Sequence, residues 1–362
     1  MAATISTLIS NIPAPVNFVL MRRLLSATRR KLPYFNGSLP GTLEKKQGAA
    51  SVKWRRIENL TTSYTAPSAL SEITGTAAAF LGRNAVQPTI TDIVAAMAKY
   101  GTAILTTEEI DLYNVNSNTV SLMDTLGADA GLNLNLLMRD VMASGFTANV
   151  RLAAAASLQS SIGTAISLND IKWSVNRLQQ RSAMKFLPMG TGSQNYNTNP
   201  VRESYMGISH VDVEEDIRLL TGFIPVEQYA GYTETMPFEF GAIAGVRWAS
   251  TEVAPVATSG STESAVGMRG ASALLHDVYD SFIYGMESIG SVGLGNMHAK
   301  TSYEMYDPAR PPAVEIIQHA PGSSGIFDMF NEAGSIAWKS FFAGKVLNAD
   351  WGVRVRSLSA AL

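Results

Sequence analysis

The chain has 362 residues, of which 46% are hydrophobic and only 16% are charged, and it contains no cysteine. This length and composition predict a folded protein with two structural lobes and exclude a disordered chain. The absence of cysteine excludes disulfides and thiolate chemistry. Because a soluble monomer usually carries about 25% charged residues, the low charge favours an obligate assembly over a free enzyme.

The N-terminus and the hydropathy pattern bear on membranes and export. No apolar run reaches 18 residues, so we predict no membrane-spanning helix. Pro13 and Pro15 interrupt the apolar part of the N-terminus, and the arginines follow that part instead of preceding it. This order is not typical of a secretory signal, so we expect the chain to be made in the cytoplasm.

The small net charge of −2 conceals an uneven distribution. Residues 1–60 carry ten Lys or Arg and two Glu, a net charge of +8, whereas the remainder carries 18 basic and 28 acidic side chains, a net charge of −10. A basic segment on an acidic body predicts that the segment lies on another subunit or contacts nucleic acid. A solvated tail is the alternative.

The first third of the chain reads as extended structure. Residues 1–45 contain repeated Pro and Gly and predict an extended arm, with one short helix around residues 18–30. Over residues 48–60, Val52, Trp54 and Arg56 alternate with Lys53 and Arg55, which is the period of a strand. Charge on both faces predicts an exposed ribbon. Residues 61–89 read as a loop, and residues 90–105 fit either a strand or a short helix.

Residues 116–143 form the longest periodic stretch. Apolar or small residues follow one another at spacings of three and four: Val120, Met123, Gly127, Ala130, Leu134, Leu137 and Val141. This pattern predicts an amphipathic helix on the order of 40 Å long, well beyond the average helix of about 11–12 residues. The same periodicity fits one long core helix of an ordinary α+β domain equally well.

The remaining pattern mixes helices and strands without regular alternation. We predict a helix over residues 168–184, capped by Asn169 or Asp170, and a second helix over residues 211–220. Loops are predicted at residues 190–199 and 257–272. Strands are predicted at residues 205–210, 243–249, 280–286, 313–319 and 351–356, whereas residues 335–346 fit a helix or a strand equally well.

The search for reactive groups favours a structural role. His210 with Asp212, Glu214, Glu215 and Asp216 suggests a metal cluster, but acids in the first turns of a helix explain the same pattern. The glycines of residues 290–295 lack the strand-then-helix context of a nucleotide site. We therefore predict no catalytic, cofactor-binding or metal-binding residues, and no enzymatic activity.

Six segments, in this order, resemble one known family. They are residues 48–56 (GAASVKWRR), 91–101 (TDIVAAMAKYG), 208–218 (ISHVDVEEDIR), 222–229 (GFIPVEQY), 245–248 (GVRW) and 334–339 (GSIAWK). The set resembles the major capsid proteins of tailed bacteriophages related to the N4-like podoviruses, and it covers most of the chain from about residue 45.

The resemblance implies an α+β protein with the Hong Kong 97 capsid fold. It places an N-terminal arm at residues 1–45 and an extended β-hairpin loop with its return strand at 46–100. A peripheral domain with a long spine helix would take residues 101–149, and the axial domain would take mostly residues 150–300. Residues 301–362 would form peripheral-domain strands and the C-terminal strand. It also favours a strand over a helix for residues 335–346. No covalent crosslink is predicted.

The function implied is a major capsid protein that self-assembles through pentamers and hexamers into an icosahedral shell around double-stranded DNA. The predicted intersubunit contacts are Arg22, Arg23, Arg29, Arg30, Lys31, Lys53, Trp54, Arg55 and Arg56. Further expected partners are scaffolding, portal and decoration proteins and, through non-specific contacts, the packaged DNA. No membrane or cofactor is expected. The protein would assemble in the host cytoplasm and reside in the virion shell.

Two alternatives stay open at this point. One is another virion ring or tube protein, or an encapsulin-like compartment shell; the other is a hydrolase whose site forms only in three dimensions. We also expect that deleting residues 1–45 leaves a folded body that assembles poorly.

Overall fold

The structure is a computed structural model, and it describes residues 32–43, 50–57, 89–108, 118–186, 203–228, 236, 238–272, 274–294, 314–319, 330 and 332–361. Within these ranges the strands, numbered along the chain, are β1 Leu39–Leu43, β2 Ser51–Ile57, β3 Ile90–Ala96, β4 Ala98–Thr107, β5 Val150–Leu152, β6 Tyr205–His210, β7 Ile224–Pro225, β8 Glu239–Ile243, β9 Val246–Thr251, β10 Val256–Ser261, β11 Gly270–Ser272, β12 Leu275–Tyr284, β13 Ile289–Leu294, β14 Val314–His319, β15 Ala333–Val346 and β16 Gly352–Ser357. The α-helices are α1 Asn118–Gly145, α2 Leu168–Gln180 and α3 Val211–Arg218. Short 3₁₀ helices span Pro33–Phe35, Ala153–Ala155, Gln159–Ser161, Val226–Gln228 and Ala349–Trp351.

A small sheet is built around the 14-residue strand β15. One edge of β15 pairs antiparallel with β4, from Ala333 opposite Thr107 to Phe342 opposite Ala98. The other edge pairs with β14 and then with β13, which in turn pairs parallel with β1. The prediction of a strand over residues 335–346 is therefore confirmed, because the strand finds hydrogen-bonding partners along both edges.

A second, nine-stranded sheet has the order β5-β16-β12-β6-β9-β8-β7, with β10 and β11 on β12. Helices α2 and α3 pack on it and bury an apolar cluster that includes Ile171, Leu178, Ile217 and Trp248. The predicted strands at residues 205–210 and 351–356 and the two predicted helices are confirmed.

The long helix α1 confirms the prediction for residues 116–143 and joins the two sheets. Its buried side chains belong to the main core, which also contains Trp338 and Phe342 from β15 and Phe282 and Tyr284 from β12. The indole Nε1 of Trp338 donates a hydrogen bond to Asp129 Oδ2 on α1 at 2.9 Å. The helix therefore links the two sheets by burying one face against both.

The buried face of α1 differs from the predicted one in its second half. Met123, Ala130 and Leu134 are fully buried as expected, but the stripe continues through Met138 and Met142. Leu137 and Val141 are only half-buried. A spacing of four residues exceeds the 3.6 residues of one turn, so the buried stripe winds around the helix as it crosses the sheet.

The segment that follows the undescribed residues 1–31 enters the core directly. Tyr34 and Phe35, in the 3₁₀ helix, are buried completely, and the Tyr34 N–H donates to Asn135 Oδ1 of α1 at 3.2 Å. The Phe35 ring packs against Phe342, with 5.6 Å between the centroids. Residues 32–43, which the sequence analysis assigned to the arm, thus pack against the body.

Three local predictions are wrong, for reasons of long-range pairing or local chemistry. Residues 257–272 are not a loop throughout, because β10 and β11 pair with β12. Residues 243–249 are not one strand: Ala244 and Gly245, at φ 51° and 81°, make the turn between β8 and β9. The cap of α2 is Ser167, whose Oγ accepts from the Asp170 N–H at 3.3 Å.

The predicted loop at residues 190–199 and most of residues 61–89 lie outside the described residues. Among the helices that the structure describes, none combines the length and apolar character that crossing a bilayer requires.

Candidate assembly surface

The ribbon formed by β2 and β3 exposes both charged and large apolar side chains. The two strands pair antiparallel from Ser51 opposite Ala96 to Ile57 opposite Ile90, as a sheet of their own. Exposed and half-buried residues alternate along β2. This confirms the predicted strand and settles the ambiguity of residues 90–105 in favour of two strands, β3 and β4.

The outer face of the ribbon carries a small charged cluster. Lys53 Nζ lies 2.5 Å from Asp92 Oδ2, and Arg55 Nε lies 3.0 Å from Asp92 Oδ1. Hydrogen bonds from Arg55, and next from Lys53, hold the pKa of the Asp92 carboxyl below its ordinary value. Two cations and one carboxylate leave this face with a net positive charge in open solvent.

Apolar side chains surround that cluster. Val94 lies opposite Lys53, and the pair Ile57 and Ile90 closes the described end of the ribbon on the same face. Their exposed fractions are 51%, 66% and 51%, and Leu105 on β4 is 80% exposed. Leu105 belongs to the small sheet, where it lies opposite Ser335, so the described part of the ribbon itself exposes three large aliphatic groups. Such groups are typical of a surface that a partner covers.

The inner face of the ribbon rests on the body of the same chain. Trp54 lies over two glycines: a Cβ on Gly290 would come within 3.0 Å of the indole, and one on Gly41 within 3.3 Å. Arg56 Nη1 donates to the Leu347 carbonyl oxygen at 3.0 Å. The alternation of β2 therefore divides the four predicted contact residues between two faces.

The structure thus places the nine predicted contact residues in three groups. Lys53 and Arg55 face solvent, and Trp54 and Arg56 contact the chain's own body. The remaining five lie outside the described residues: Arg22, Arg23, Arg29, Arg30 and Lys31. Asp92, Val94 and Leu105 are not among the predicted contact residues, because the pattern of residues 90–105 fits both a strand and a short helix.

The acidic group around His210 is used for structure. His210 Nδ1 accepts the Asp212 N–H at 3.0 Å and so caps α3, and burial lowers the pKa of the imidazole against the opposing effect of Asp212. Asp212 accepts from the Tyr279 hydroxyl at 2.9 Å and pairs with Arg269 at 3.0 Å. Within the described ranges no three His, Asp or Glu residues are grouped so as to hold a metal ion.

The architecture combines a long helix across a small sheet, a larger second sheet and a two-stranded ribbon that packs on the small sheet. This is the Hong Kong 97-type fold of phage capsid proteins, and the predicted fold class is confirmed. No protein-family model and no curated protein sequence matches the chain.

Solved structures carry the comparison. The capsid of Ralstonia phage GP4 is similar with a TM-score of 0.60 and 10% identity, over 91% of this chain and 92% of that one. The capsid of cyanophage Pam1 is similar with a TM-score of 0.54 and 11% identity, over 90% of each chain. The head of Helicobacter pylori bacteriophage KHP40 is similar with a TM-score of 0.53 and 11% identity, over 92% of this chain and 91% of that one. At such identities the likeness defines the fold, while the narrower relation to N4-like podoviruses stays a prediction.

Proposed function

We propose that the chain is a major capsid protein that self-assembles into the icosahedral head shell of a tailed phage. The observation that carries the proposal is the ribbon, whose outer face exposes large apolar side chains around a cationic cluster, on a phage-capsid fold. A subunit of this shape leaves those groups in water until neighbouring copies cover them.

The magnitudes favour a repeated assembly over a single pair. Full burial of one Val, Leu or Ile side chain contributes about 1.5–3 kcal/mol, so Ile57, Ile90 and Val94 on the ribbon together contribute about 9 kcal/mol at most. Association of two molecules costs about 4–15 kcal/mol in lost freedom. One ribbon contact is therefore marginal, and a stable particle needs the same contact repeated by closed symmetry.

The charge distribution supports two kinds of contact. Residues 1–60 carry a net charge of +8 against −10 for the remainder, so the basic segment of one copy is attracted to the acidic body of another. The same Lys and Arg side chains can neutralise phosphates of packaged double-stranded DNA without reading its sequence. We include Arg22, Arg23, Arg29, Arg30 and Lys31 in this proposal.

A non-enzymatic role in the virion shell is part of the proposal. The His210 group caps a helix and ties β12 to α3, so its polar atoms already have structural partners. Pentamers and hexamers would assemble in the host cytoplasm, with scaffolding, portal and decoration proteins as further partners.

Electron microscopy of the purified chain, expressed alone and with the scaffolding protein of its source, tests the proposal. We expect closed icosahedral shells. Rings or tubes would favour a different virion component, and closed shells that never take up DNA would favour a compartment. Monomers under every condition would contradict the proposal.

A further inference from the structure

A solvent-open cavity of about 430 Å³, which shares no lining residue with the ribbon, lies at the end of the large sheet where β5 is the edge strand. Its walls come from β5, the 3₁₀ segments that follow it, and helix α2. Arg151 and Arg356 both line it, and among the described residues no Asp or Glu does. The cavity therefore presents guanidinium donors, while the carboxylates that pair with them, Asp170 and Asp280, are not among its lining residues.

Arg151 is held in a fixed orientation with most of its donors unused. Its Nε donates to Asp170 Oδ1 at 2.8 Å, and its guanidinium lies over the Trp173 ring at 5.3 Å. Asp170 is fully buried and also accepts from the Ser167 hydroxyl at 2.6 Å, so it cannot turn away. Within the described chain, neither terminal nitrogen of Arg151 has an acceptor.

Arg356 is positioned in the same way. Its Nε donates to Asp280 Oδ1 at 3.1 Å, and its Nη1 donates to Gln159 Oε1 at 2.7 Å. Asp280 is also bonded by Arg354, which keeps the carboxylate in place. Among the residues that the structure describes, Nη2 of Arg356 has no acceptor. A planar guanidinium held this way is suited to a carboxylate.

The rim of the cavity is apolar. Leu158 is 64% exposed, and Val150 and Trp173 are each a little over one-third exposed. A free inorganic anion would satisfy the arginines but leave these groups in water. A carboxylate carried beside an aliphatic or aromatic side chain would bind the arginines and also cover the apolar rim.

We propose that this cavity binds an acidic side chain, with its apolar neighbour, from a second copy of the chain. The inference rests on the proposed assembly, in which every subunit is surrounded by copies. It is supported by charge: outside residues 1–60 each copy carries 28 acidic against 18 basic side chains. The contact would be a second, ribbon-independent interface within the shell.

The test uses the matched substitutions Leu158→Glu and Leu158→Gln. Both remove the same aliphatic group from an exposed position, but only glutamate supplies a tethered carboxylate that occupies the arginines in place of the neighbour's. We expect the critical subunit concentration for assembly, measured by light scattering, to be about tenfold higher for Leu158→Glu than for Leu158→Gln, a difference of about 1.4 kcal/mol. In circular dichroism melts of the unassembled variants, Leu158→Glu should melt no lower than Leu158→Gln, because its carboxylate pairs with the arginines.

Equal critical concentrations for the two variants would overturn this inference while leaving the proposed function intact. A complete absence of particles from the unmodified chain would instead overturn both. A density map of the particle gives the direct readout: we expect a neighbour's carboxylate within about 3 Å of the Arg151 and Arg356 terminal nitrogens. A cavity filled only by solvent or by a nucleic acid phosphate would refute it.

Discussion

Replacing Phe35 with alanine tests whether the chain before β1 belongs to the folded body. Phe35 is 1% exposed and lies in the main core, where its ring packs against Phe342 of β15. Pro33 begins the 3₁₀ helix that carries it, and Tyr34 beside it is held by a hydrogen bond from its N–H to Asn135. The substitution therefore opens a cavity where the small sheet meets helix α1.

The expected loss is large relative to the stability of a domain. Truncating a buried Phe to Ala costs about 3–5 kcal/mol, because the transfer free energy is lost and the cavity does not fully collapse. Domains are stable by about 5–15 kcal/mol in total. We therefore expect the variant to lose a large share of its free energy of unfolding.

Urea unfolding of unassembled subunits, followed by near-ultraviolet circular dichroism, measures this loss. Leu219→Ala is the control, because Leu219 is 77% exposed and its truncation should change stability by less than about 0.5 kcal/mol. A loss below about 1 kcal/mol for Phe35→Ala would refute the assignment of this segment to the core.

The same packing changes the expectation for N-terminal deletions. Removing residues 1–45 would take away Tyr34, Phe35 and strand β1, which pairs with β13. We now expect that this deletion prevents folding, whereas a chain lacking only residues 1–31 folds and assembles poorly. Equal melting temperatures for the two truncated chains would contradict this.

Arg55→Glu places a carboxylate opposite Asp92 on the exposed face, so it should raise the critical concentration for assembly and lower the melting temperature of the subunit only slightly. Arg56→Glu, whose arginine bonds a body carbonyl, should lower that temperature by a few degrees. Identical effects of the two reversals would contradict the assignment of faces. Trp338→Phe should cost about 1.5–3 kcal/mol in urea unfolding, since it removes a hydrogen bond to the Asp129 carboxylate; an unchanged midpoint would show the bond to be dispensable. The Asp92 carboxyl should titrate by NMR below its ordinary pKa of 3.8, and Arg55→Gln should raise that pKa. Because the pKa of Asp92 is lowered in the folded state, the stabilisation from its ion pairs is present above pH 3.8 and is lost as the pH falls through the folded-state pKa. An ordinary pKa for Asp92 in the intact chain would exclude its ion pairs with Arg55 and Lys53.

Local pattern was enough to predict several elements from the sequence. The length of α1, the alternation of β2 and the last strand were all visible, because 3.6- and 2-residue periods are properties of a single segment. The division of Trp54 from Arg55 between two faces also follows from that alternation. The uneven charge of the chain was likewise readable without coordinates.

Pairing between distant segments decided the rest. Residues 257–272 have the composition of a loop but form strands, because β12 supplies hydrogen-bonding partners that no local pattern reveals. Residues 335–346 were ambiguous until β4, β13 and β14 were seen to border them.

The sequence by itself determined that α1, α2 and α3 are helical, that β2 and β16 are extended, and that the N-terminal part is basic. Only the tertiary structure decided which side of each element is covered: it buried Met138 in place of Leu137, drew Phe35 into the core, and brought Arg151 and Arg356 to one cavity. The physical reason is that burial and ion pairing depend on what lies opposite, and the partners here are separated by tens to hundreds of residues.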